Sequence, residues 1–238
     1  MRVSLKTKII GLLLGLALAP ILKAADKFVT FNKEEGTLAL TTTQQPNFSI
    51  LCADEEHKGV LMAVRNLQED FFRVTNTRPY LKIGAKKQVD KGAQKLRILI
   101  GKSPLIKQLV KAKKLDVREL KGKNEKFIIT TVTNPIEGVE GEVLLIAGSD
   151  KRGTIYGIYE LSCQIGISPW YWWADVPVMK QANVYIKPGQ YSDGEPAVTY
   201  RGIFLNDEAP CLTRWVKHTY GTNYGDHRFY ARVCELIL

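Results

Sequence analysis

The sequence lacks the motifs on which several large enzyme classes depend. No glycine-rich phosphate loop follows a strand-like segment, and neither G-x-S-x-G nor H-E-x-x-H occurs. Hydride transfer, phosphoryl transfer and serine hydrolysis therefore lack their usual residues in this chain.

Histidine and cysteine are scarce, with three and four residues among 238. No spacing among them matches a zinc-ligand motif, so no metal site is predicted. One or two disulfides are one interpretation of the cysteines. We favour buried free thiols, because each lies in an apolar context and the chain is long enough to fold without covalent links. The four are Cys52, Cys163, Cys211 and Cys234.

The apolar run at residues 9–22 is too short to span a membrane comfortably. Basic residues precede it, and Ala24 and Ala25 follow it. This order is typical of a secretory signal peptide, here residues 1–25. We therefore expect an exported protein, periplasmic or extracellular, with no membrane contact after cleavage. The alternative is a retained N-terminal anchor.

The chain is basic, with a formal net charge of +10. The leader holds four basic and no acidic residues, which leaves +6 for the remainder. These charges are spread along the chain rather than gathered in one stripe. A solvated basic surface is the better interpretation, and no nucleic-acid partner is predicted.

The first half alternates strand and helix patterns. Residues 28–31 and 37–40 predict a hairpin around Gly36, and residues 48–51 predict a third strand. Asp54 is expected to cap a helix because apolar residues recur behind it at three- and four-residue spacing. These residues are Val60, Val64, Leu67, Phe71 and Val74.

The pattern continues with a strand at residues 96–101 that is apolar on both faces. A helix is predicted from Pro104 to about residue 115, and strands at 127–132 and 143–147. Asp150 then caps a helix that ends at Gly166, with two glycines that allow a close neighbour. We predict an α/β domain over residues 26–190, with a mixed sheet and its helices mostly on one side.

Residues 179–196 are rich in turn signals and predict a linker. Residues 198–205 predict a strand that ends on Asn206, Asp207 and Glu208. A helix from Tyr230 completes a strand–helix unit, and we expect residues 191–238 to begin a (β/α)8 barrel that is truncated. Polar residues at the carboxyl end of a barrel strand are where catalysis occurs, although such a triplet also begins ordinary solvated loops.

An aromatic loop lies between these parts, with Trp170, Trp172 and Trp173 beside Tyr171 and the carboxylate of Asp175. Flat rings stack on sugars with little loss of side-chain freedom. The alternative is that the rings close a hydrophobic core where two domains meet, since Trp is mostly buried.

Two blocks, GTIYGIYELSCQIGISPWYWWADVPV and YRGIFLNDEAPCLTRWV, resemble glycoside hydrolase family 115, the xylan α-glucuronidases. The first block is also similar to the end of the domain that precedes the barrel in hexosaminidases. The resemblance implies inverting hydrolysis of α-1,2-linked glucuronic acid, or its 4-O-methyl ether, from xylan without a cofactor. It also implies xylan or glucuronoxylan oligosaccharides as partners, and a homodimer for the full-length parent.

Carried over by motif, Asp207 lies in the active site and is the expected catalytic residue, either as one member of the acid–base pair or as a positioning residue. We expect Asn206, Glu208, Trp172, Trp173 and Asp175 to bind the substrate; the resemblance itself places Asn206 in the active site and the Trp172–Trp173 loop beside it. We expect the 238-residue chain alone to be inactive, because the partner of Asp207 would come from later strands. The alternative is a non-catalytic carbohydrate-binding or scaffold protein that uses the tryptophan-rich loop.

Overall fold

Nine strands and five α-helices make up the computed structural model over its described residues, 27–84, 96–101, 104–135, 139–206, 211–222 and 225–238. The predicted signal peptide at residues 1–25 lies outside them. The strands are β1 Val29–Thr30, β2 Leu38–Thr41, β3 Ser49–Cys52, β4 Tyr80–Ile83, β5 Leu96–Ile100, β6 Phe127–Thr133, β7 Glu142–Gly148, β8 Val184–Ile186 and β9 Gln190–Asp193. The helices are α1 Lys58–Thr75, α2 Pro104–Lys111, α3 Lys151–Gln164, α4 Leu212–Tyr220 and α5 His227–Ile237, and a short 3-10 helix spans Arg118–Leu120.

The larger sheet has the order β4-β3-β5-β7-β6-β9. Its first four strands are parallel, whereas β6 pairs antiparallel with both β7 and β9. This confirms the mixed sheet. Helices α1 and α3 cover one face and α2 covers the other, as two separate hydrophobic cores show. Ile98 and Ile100 of β5 enter the first core and Leu99 the second, so this strand is buried on both faces as predicted.

A smaller antiparallel sheet has the order β1-β8-β2. The predicted hairpin is therefore wrong, because β1 and β2 flank β8 instead of pairing with each other. The linker predicted over residues 179–196 is also wrong. It contains β8, whose three residues are all buried, and the edge strand β9.

Helix α1 presents the predicted apolar stripe to the core, and all five of its residues are fully buried. Its cap differs from the prediction. His57 precedes the helix, and its Nδ1 accepts a hydrogen bond from the Gly59 amide at 3.2 Å. Asp54 lies one turn too early to serve. Asn76, with φ of 59°, closes the other end in the left-handed conformation that Asn tolerates.

Helix α3 begins as predicted, because the Asp150 carboxylate accepts a hydrogen bond from the Gly153 amide at 2.8 Å. Its two glycines permit the close contact expected of them. A Cβ added at Gly153 would lie 2.2 Å from the Lys126 carbonyl oxygen, and one at Gly157 would lie 2.8 Å from Cγ2 of Ile146. The helix therefore rests directly on β6, β7 and the loop before them.

The C-terminal segment departs most from the prediction. Residues 198–205 form no strand, although the structure describes all of them. Most of their large apolar side chains are exposed, with Tyr200 at 93% and Phe204 at 89%, whereas Leu205 is half-buried. Helix α4 was not predicted, and α5 begins at His227, three residues before the predicted start. None of the helices that the structure describes is long and apolar enough to cross a membrane.

Candidate functional site

The aromatic loop packs against the two C-terminal helices. The indole of Trp173 stacks on that of Trp215 in α4, with ring centroids 6.1 Å apart and an interplanar angle of 21°. Trp173 Nε1 also donates a hydrogen bond to the Arg232 carbonyl at 3.3 Å. Trp172 meets Trp173 edge-on at 4.8 Å. Trp173 therefore packs against a third small core, and Trp172 packs edge-on against Trp173 and Trp215, so neither ring forms an open platform.

The exposed members of the loop are Trp170 and Asp175. Trp170 is 53% exposed, whereas Trp172 and Trp173 are partly buried. Asp175 is exposed and has a φ of 50°, a left-handed conformation that a short polar side chain adopts more readily than an apolar one. A flat ring and a carboxylate thus face solvent within five residues of each other.

Tyr171 fixes the centre of the loop. Its hydroxyl donates a hydrogen bond to Glu235 Oε1 at 2.9 Å and accepts one from Arg232 at 2.6 Å. The Arg73 guanidinium of α1 lies 4.8 Å from the Tyr171 ring centroid. Burial raises the pKa of Tyr171, and the Glu235 carboxylate raises it further. One tyrosine therefore joins the loop to both the N-terminal unit and α5.

The predicted polar triplet is described only in part. Asn206 is exposed, and Asp207 and Glu208 lie outside the described residues. Leu205, immediately before the triplet, packs against the same small core of Val216, Phe229 and Val233 as Trp173 does. The structure thus brings the tryptophan loop and the start of the triplet to one cluster. The roles assigned to the triplet remain predictions.

Arg201 connects residues 198–206, which form no helix or strand, to the α/β unit. Its guanidinium donates to the Glu125 carboxylate and to the Tyr156 hydroxyl, the latter at 3.2 Å. Glu125 also accepts a hydrogen bond from Arg152 at 2.8 Å. Hydrogen bonding to Arg201, and secondarily to Arg152, lowers the pKa of Glu125 against the opposing effect of burial. Glu125 has only 9% exposure, so this ion pair lies partly out of water.

A cavity of about 600 Å³ opens between α3, the aromatic loop, α5 and the end of β9. Its lining includes six carboxylates and no basic side chain: Asp70, Glu125, Glu160, Asp193, Glu195 and Glu235. Glu160 lies on α3. The others come from distant segments that no local pattern connects.

The histidine, cysteine and carboxylate side chains of the described residues form neither a metal-ligand group nor a disulfide. No group of three or more His, Cys, Asp or Glu side chains is placed there to hold a metal ion. All four cysteines are free, as favoured, but only Cys52 is buried. Burial raises its pKa to about 12. The expectation of burial is wrong for the other three, because they lie on exposed positions of α3, α5 and the turn before α4.

Comparisons with known proteins agree with the resemblance seen in the sequence. The family model described as glycosyl hydrolase family 115 matches residues 193–238. The chain is similar, at 30% identity and a TM-score of 0.63, to a solved structure described as "A novel family GH115 4-O-Methyl-alpha-glucuronidase, BtGH115A, with specificity for decorated arabinogalactans". That match covers 84% of this chain and 24% of the other.

A second solved structure, CpGH84D, matches 72% of this chain and 23% of its own length at 8% identity. Its TM-score of 0.38 is too low to carry an argument. No curated protein matches the chain significantly. The chain spans about a quarter of the length of either structure it matches.

Proposed function

Because this chain belongs to glycoside hydrolase family 115, we propose that it is the N-terminal part of an exported α-glucuronidase. The full enzyme would remove α-1,2-linked glucuronic acid, or its 4-O-methyl ether, from a plant polysaccharide. The observation that carries the proposal is the family match at residues 193–238, since this stretch contains Asn206, Asp207 and Glu208.

In the proposed reaction Asp207 is one of two carboxyl groups that act on the glycosidic bond. Inversion requires a general acid and a general base separated by roughly 6.5–9.5 Å, so that a water molecule can attack from the opposite face of the sugar. Asp207 and Glu208 are adjacent, and neighbouring side chains on an extended segment point to opposite faces. In the proposal only one of them faces the sugar, and the second carboxyl group comes from later barrel strands. The isolated chain should then be inactive.

The remaining predicted residues would bind substrate around Asp207. Asn206 and Glu208 offer hydrogen-bonding groups to sugar hydroxyls, and Asp175 offers a carboxylate on the aromatic loop. Trp172 and Trp173 would act chiefly by fixing the loop, because both contact Trp215 of α4 and Arg232 of α5. The large cavity is a poor seat for the uronate, since its six carboxylates repel an anion.

The proposed barrel begins near residue 198. Val198, Tyr200, Ile203 and Phe204 are each more than half exposed, although their types are those of strand residues. Large apolar side chains on an extended segment with no ladder in the described structure are typical of a surface that another element covers. In the proposal the following barrel strands provide that cover.

Xylan is the substrate that we propose first, on the family resemblance. Decorated arabinogalactan is the alternative, since the GH115 structure at 30% identity is described with that specificity. Both polymers would present the same terminal uronic acid, so the residues named above serve either one. The discriminating contacts would be made to the polymer backbone.

A chimera of this chain with the GH115 relative tests the proposal. Residues 26–238 of this chain would replace the matching segment of the GH115 relative, and release of glucuronic acid from glucuronoxylan and from decorated arabinogalactan would be measured. We expect activity from the chimera and none from the isolated chain. Asp207→Asn should lower kcat at least a hundredfold, whereas Asp116→Asn, an exposed control, should leave it unchanged. An active Asp207→Asn chimera would remove Asp207 from the mechanism.

A carbohydrate-binding protein without catalysis is the second candidate, favoured by the exposed ring of Trp170. Such a protein should retain xylan in a pull-down with the isolated chain, and Trp170→Ala should abolish retention. Trp172→Ala would not discriminate, because loss of that ring also disturbs the packed cluster.

A further inference from the structure

Arg73, in the last turn of α1, joins a buried carboxylate to the aromatic loop. Its Nη1 donates a hydrogen bond to Asp70 Oδ1 at 2.7 Å, and its guanidinium carbon lies 4.8 Å from the Tyr171 ring centroid. Asp70 is 3% exposed, and burial raises its pKa, an effect that the Ser162 hydroxyl and Arg73 oppose. A carboxylate with little access to water thus holds the guanidinium against the ring.

The end of the aromatic loop is bound to the same turn of α1. Lys180 Nζ donates a hydrogen bond to the Arg73 carbonyl at 2.5 Å and another to Asn76 Oδ1 at 2.7 Å. The Gln181 amide donates to the Val74 carbonyl at 2.9 Å. Substitution of the Arg73 side chain leaves these carbonyls in place. The contact of its guanidinium with the middle of the loop can therefore be removed while the end of the loop stays attached.

A second arginine near the end of α1 makes the same two contacts elsewhere. Arg78 pairs with Glu69 at 2.7 Å and lies 4.8 Å from the Phe72 ring centroid, the same two distances as for Arg73. Both of its charged side chains are accessible, at 52% and 43%. The Arg78 pair connects α1 only to the residues that directly follow it, whereas the Arg73 pair reaches the aromatic loop. The two pairs therefore differ in what they hold, and not in their own geometry.

An ion pair with a buried member contributes geometry more than stability. The cost of removing a charge from water offsets most of the attraction within such a pair, and apolar side chains of similar volume often stabilise a protein equally well. A guanidinium on the face of a ring, in contrast, fixes the position of that ring. Here the ring is the centre of the loop that exposes Trp170 and Asp175 to solvent. The same loop packs Trp173 against the small core that also contacts Leu205.

We propose that Arg73, held by Asp70, is a positioning residue for substrate binding in the proposed glycosidase. It fixes the aromatic loop through the Tyr171 ring, so that Asp175 meets the polysaccharide beside the segment that begins at Asn206. The effect on substrate rests on the proposed function, whereas the effect on the loop rests on the contacts alone. Arg73 itself touches no reacting atom and acts only through the loop.

Tryptophan fluorescence of the 238-residue chain tests the effect on the loop, because all four tryptophans lie in the loop or contact it. Asp70→Asn/Arg73→Met makes the pair neutral and leaves no uncompensated buried charge. This double variant should raise the acrylamide quenching constant and shift the emission to longer wavelength. Glu69→Gln/Arg78→Met removes the matched pair and should leave both quantities unchanged. Equal fluorescence of the two double variants would overturn the proposal.

A double-mutant cycle shows whether Arg73 acts through the ring. In a Tyr171→Leu background the Asp70→Asn/Arg73→Met exchange should cause no further change in quenching, because the ring is already absent. Arg73→Lys keeps a positive charge near Asp70 but lacks the planar guanidinium, so its quenching should fall between those of the parent and the neutral pair. An undiminished effect in the Tyr171→Leu background, or an Arg73→Lys chain that matches the neutral pair, would contradict the proposal.

The chimera with the GH115 relative extends the test to the reaction. Asp70→Asn/Arg73→Met should raise KM for the polysaccharide about fivefold, the equivalent of one cation–π contact, and should change kcat little. A merely structural role would lower the amount of active enzyme, and with it the apparent kcat, at an unchanged KM. Glu69→Gln/Arg78→Met should match the parent chimera in both constants.

The possible failures of this experiment are distinguishable. An active parent chimera whose KM does not respond to Asp70→Asn/Arg73→Met would remove Arg73 from substrate positioning. An inactive parent chimera would instead refute the proposed function. The fluorescence of the 238-residue chain would still decide whether Arg73 holds the aromatic loop, because that measurement requires no activity.

Discussion

The Tyr171 hydroxyl donates a hydrogen bond to the Glu235 carboxylate at 2.9 Å, across 64 residues of chain. Because Arg232 also donates to that hydroxyl at 2.6 Å, the tyrosine bridges an ion pair that already exists within α5. Tyr171→Phe removes both hydrogen bonds but leaves the ring and the ion pair. We expect a loss of about 1–2 kcal/mol in the free energy of unfolding, measured in urea.

Tyr200→Phe is the matched control for Tyr171→Phe. Tyr200 is 93% exposed, so loss of its hydroxyl should change the free energy of unfolding by less than about 0.5 kcal/mol. Tryptophan fluorescence should also respond only to Tyr171→Phe, since Trp172 and Trp173 follow directly in the loop. Equal stability of the two variants would mean that the Tyr171 bridge contributes nothing to holding the loop.

Gly153→Ala should destabilise the protein although alanine favours helices. In an ordinary helix the exchange gains about 1 kcal/mol. Here the new Cβ would lie 2.2 Å from the Lys126 carbonyl oxygen, and a backbone atom cannot rotate away. Helix α3 would have to move off the sheet, and we expect a net loss of about 1–3 kcal/mol in denaturant unfolding.

Gly202→Ala is the corresponding control, because no atom lies within 4 Å of the added Cβ. This variant should match the parent in stability. If Gly153→Ala were as stable as Gly202→Ala, the close contact between α3 and the Lys126 backbone would not exist in solution.

The parts of the fold that were predicted are those whose signal is local. The five-residue stripe of α1, the Asp150 cap of α3 and the doubly buried β5 each follow from spacing or capping within one segment. Strands β8 and β9 have three and four residues in a turn-rich passage. Partners distant in sequence fix them, such as Thr30 and Ala39 opposite Tyr185, so no local pattern could show them.

The strand predicted at residues 198–205 was wrong for the opposite reason. Residues 198–205 have strand-forming side chains, but a strand also requires a neighbour, and the described structure offers none. Helix α4 buries only Val216 completely and is held by ring contacts of Trp215 with the aromatic loop. The cavity lining also lies beyond local patterns. Glu160 belongs to α3 and Asp193 to the end of β9, and only the fold places both in the lining of one cavity.

Thiol reactivity provides a test of the cysteine environments. Cys52 is buried, and burial, with the Glu56 carboxylate as a smaller cause, raises its pKa to about 12. It should resist a thiol reagent at about pH 8 in the native protein, since the thiolate is the reactive form. Cys163, Cys211 and Cys234 are exposed and should react, Cys163 the most slowly because partial burial, and then the Glu160 carboxylate, raise its pKa. We expect three labelled thiols by mass spectrometry under native conditions and four in denaturant. Labelling of Cys52 at the rate of Cys211 would contradict the buried position.

The dependence of stability on pH should report the ion pair between Glu125 and Arg201. Hydrogen bonding to Arg201, then to Arg152, lowers the folded-state pKa of Glu125. The folded protein therefore favours the ionised carboxylate more than the unfolded chain does. The resulting stabilisation is fully present above the unfolded pKa of about 4.3 and is lost as the pH falls through the lower folded value. It does not change between neutral pH and about pH 6.

Glu125→Gln should therefore lower the free energy of unfolding at neutral pH and flatten its decline in acid, measured by urea unfolding at several pH values. Arg201→Gln should flatten the acid decline in the same way, because it removes the first cause of the pKa shift. Glu140→Gln, at an exposed position, should retain the slope of the parent. If Glu125→Gln and Glu140→Gln gave the same slope, Glu125 would have the same pKa folded and unfolded. The ion pair between Arg201 and Glu125, which connects residues 198–206 to the loop before β6, would then be absent in solution.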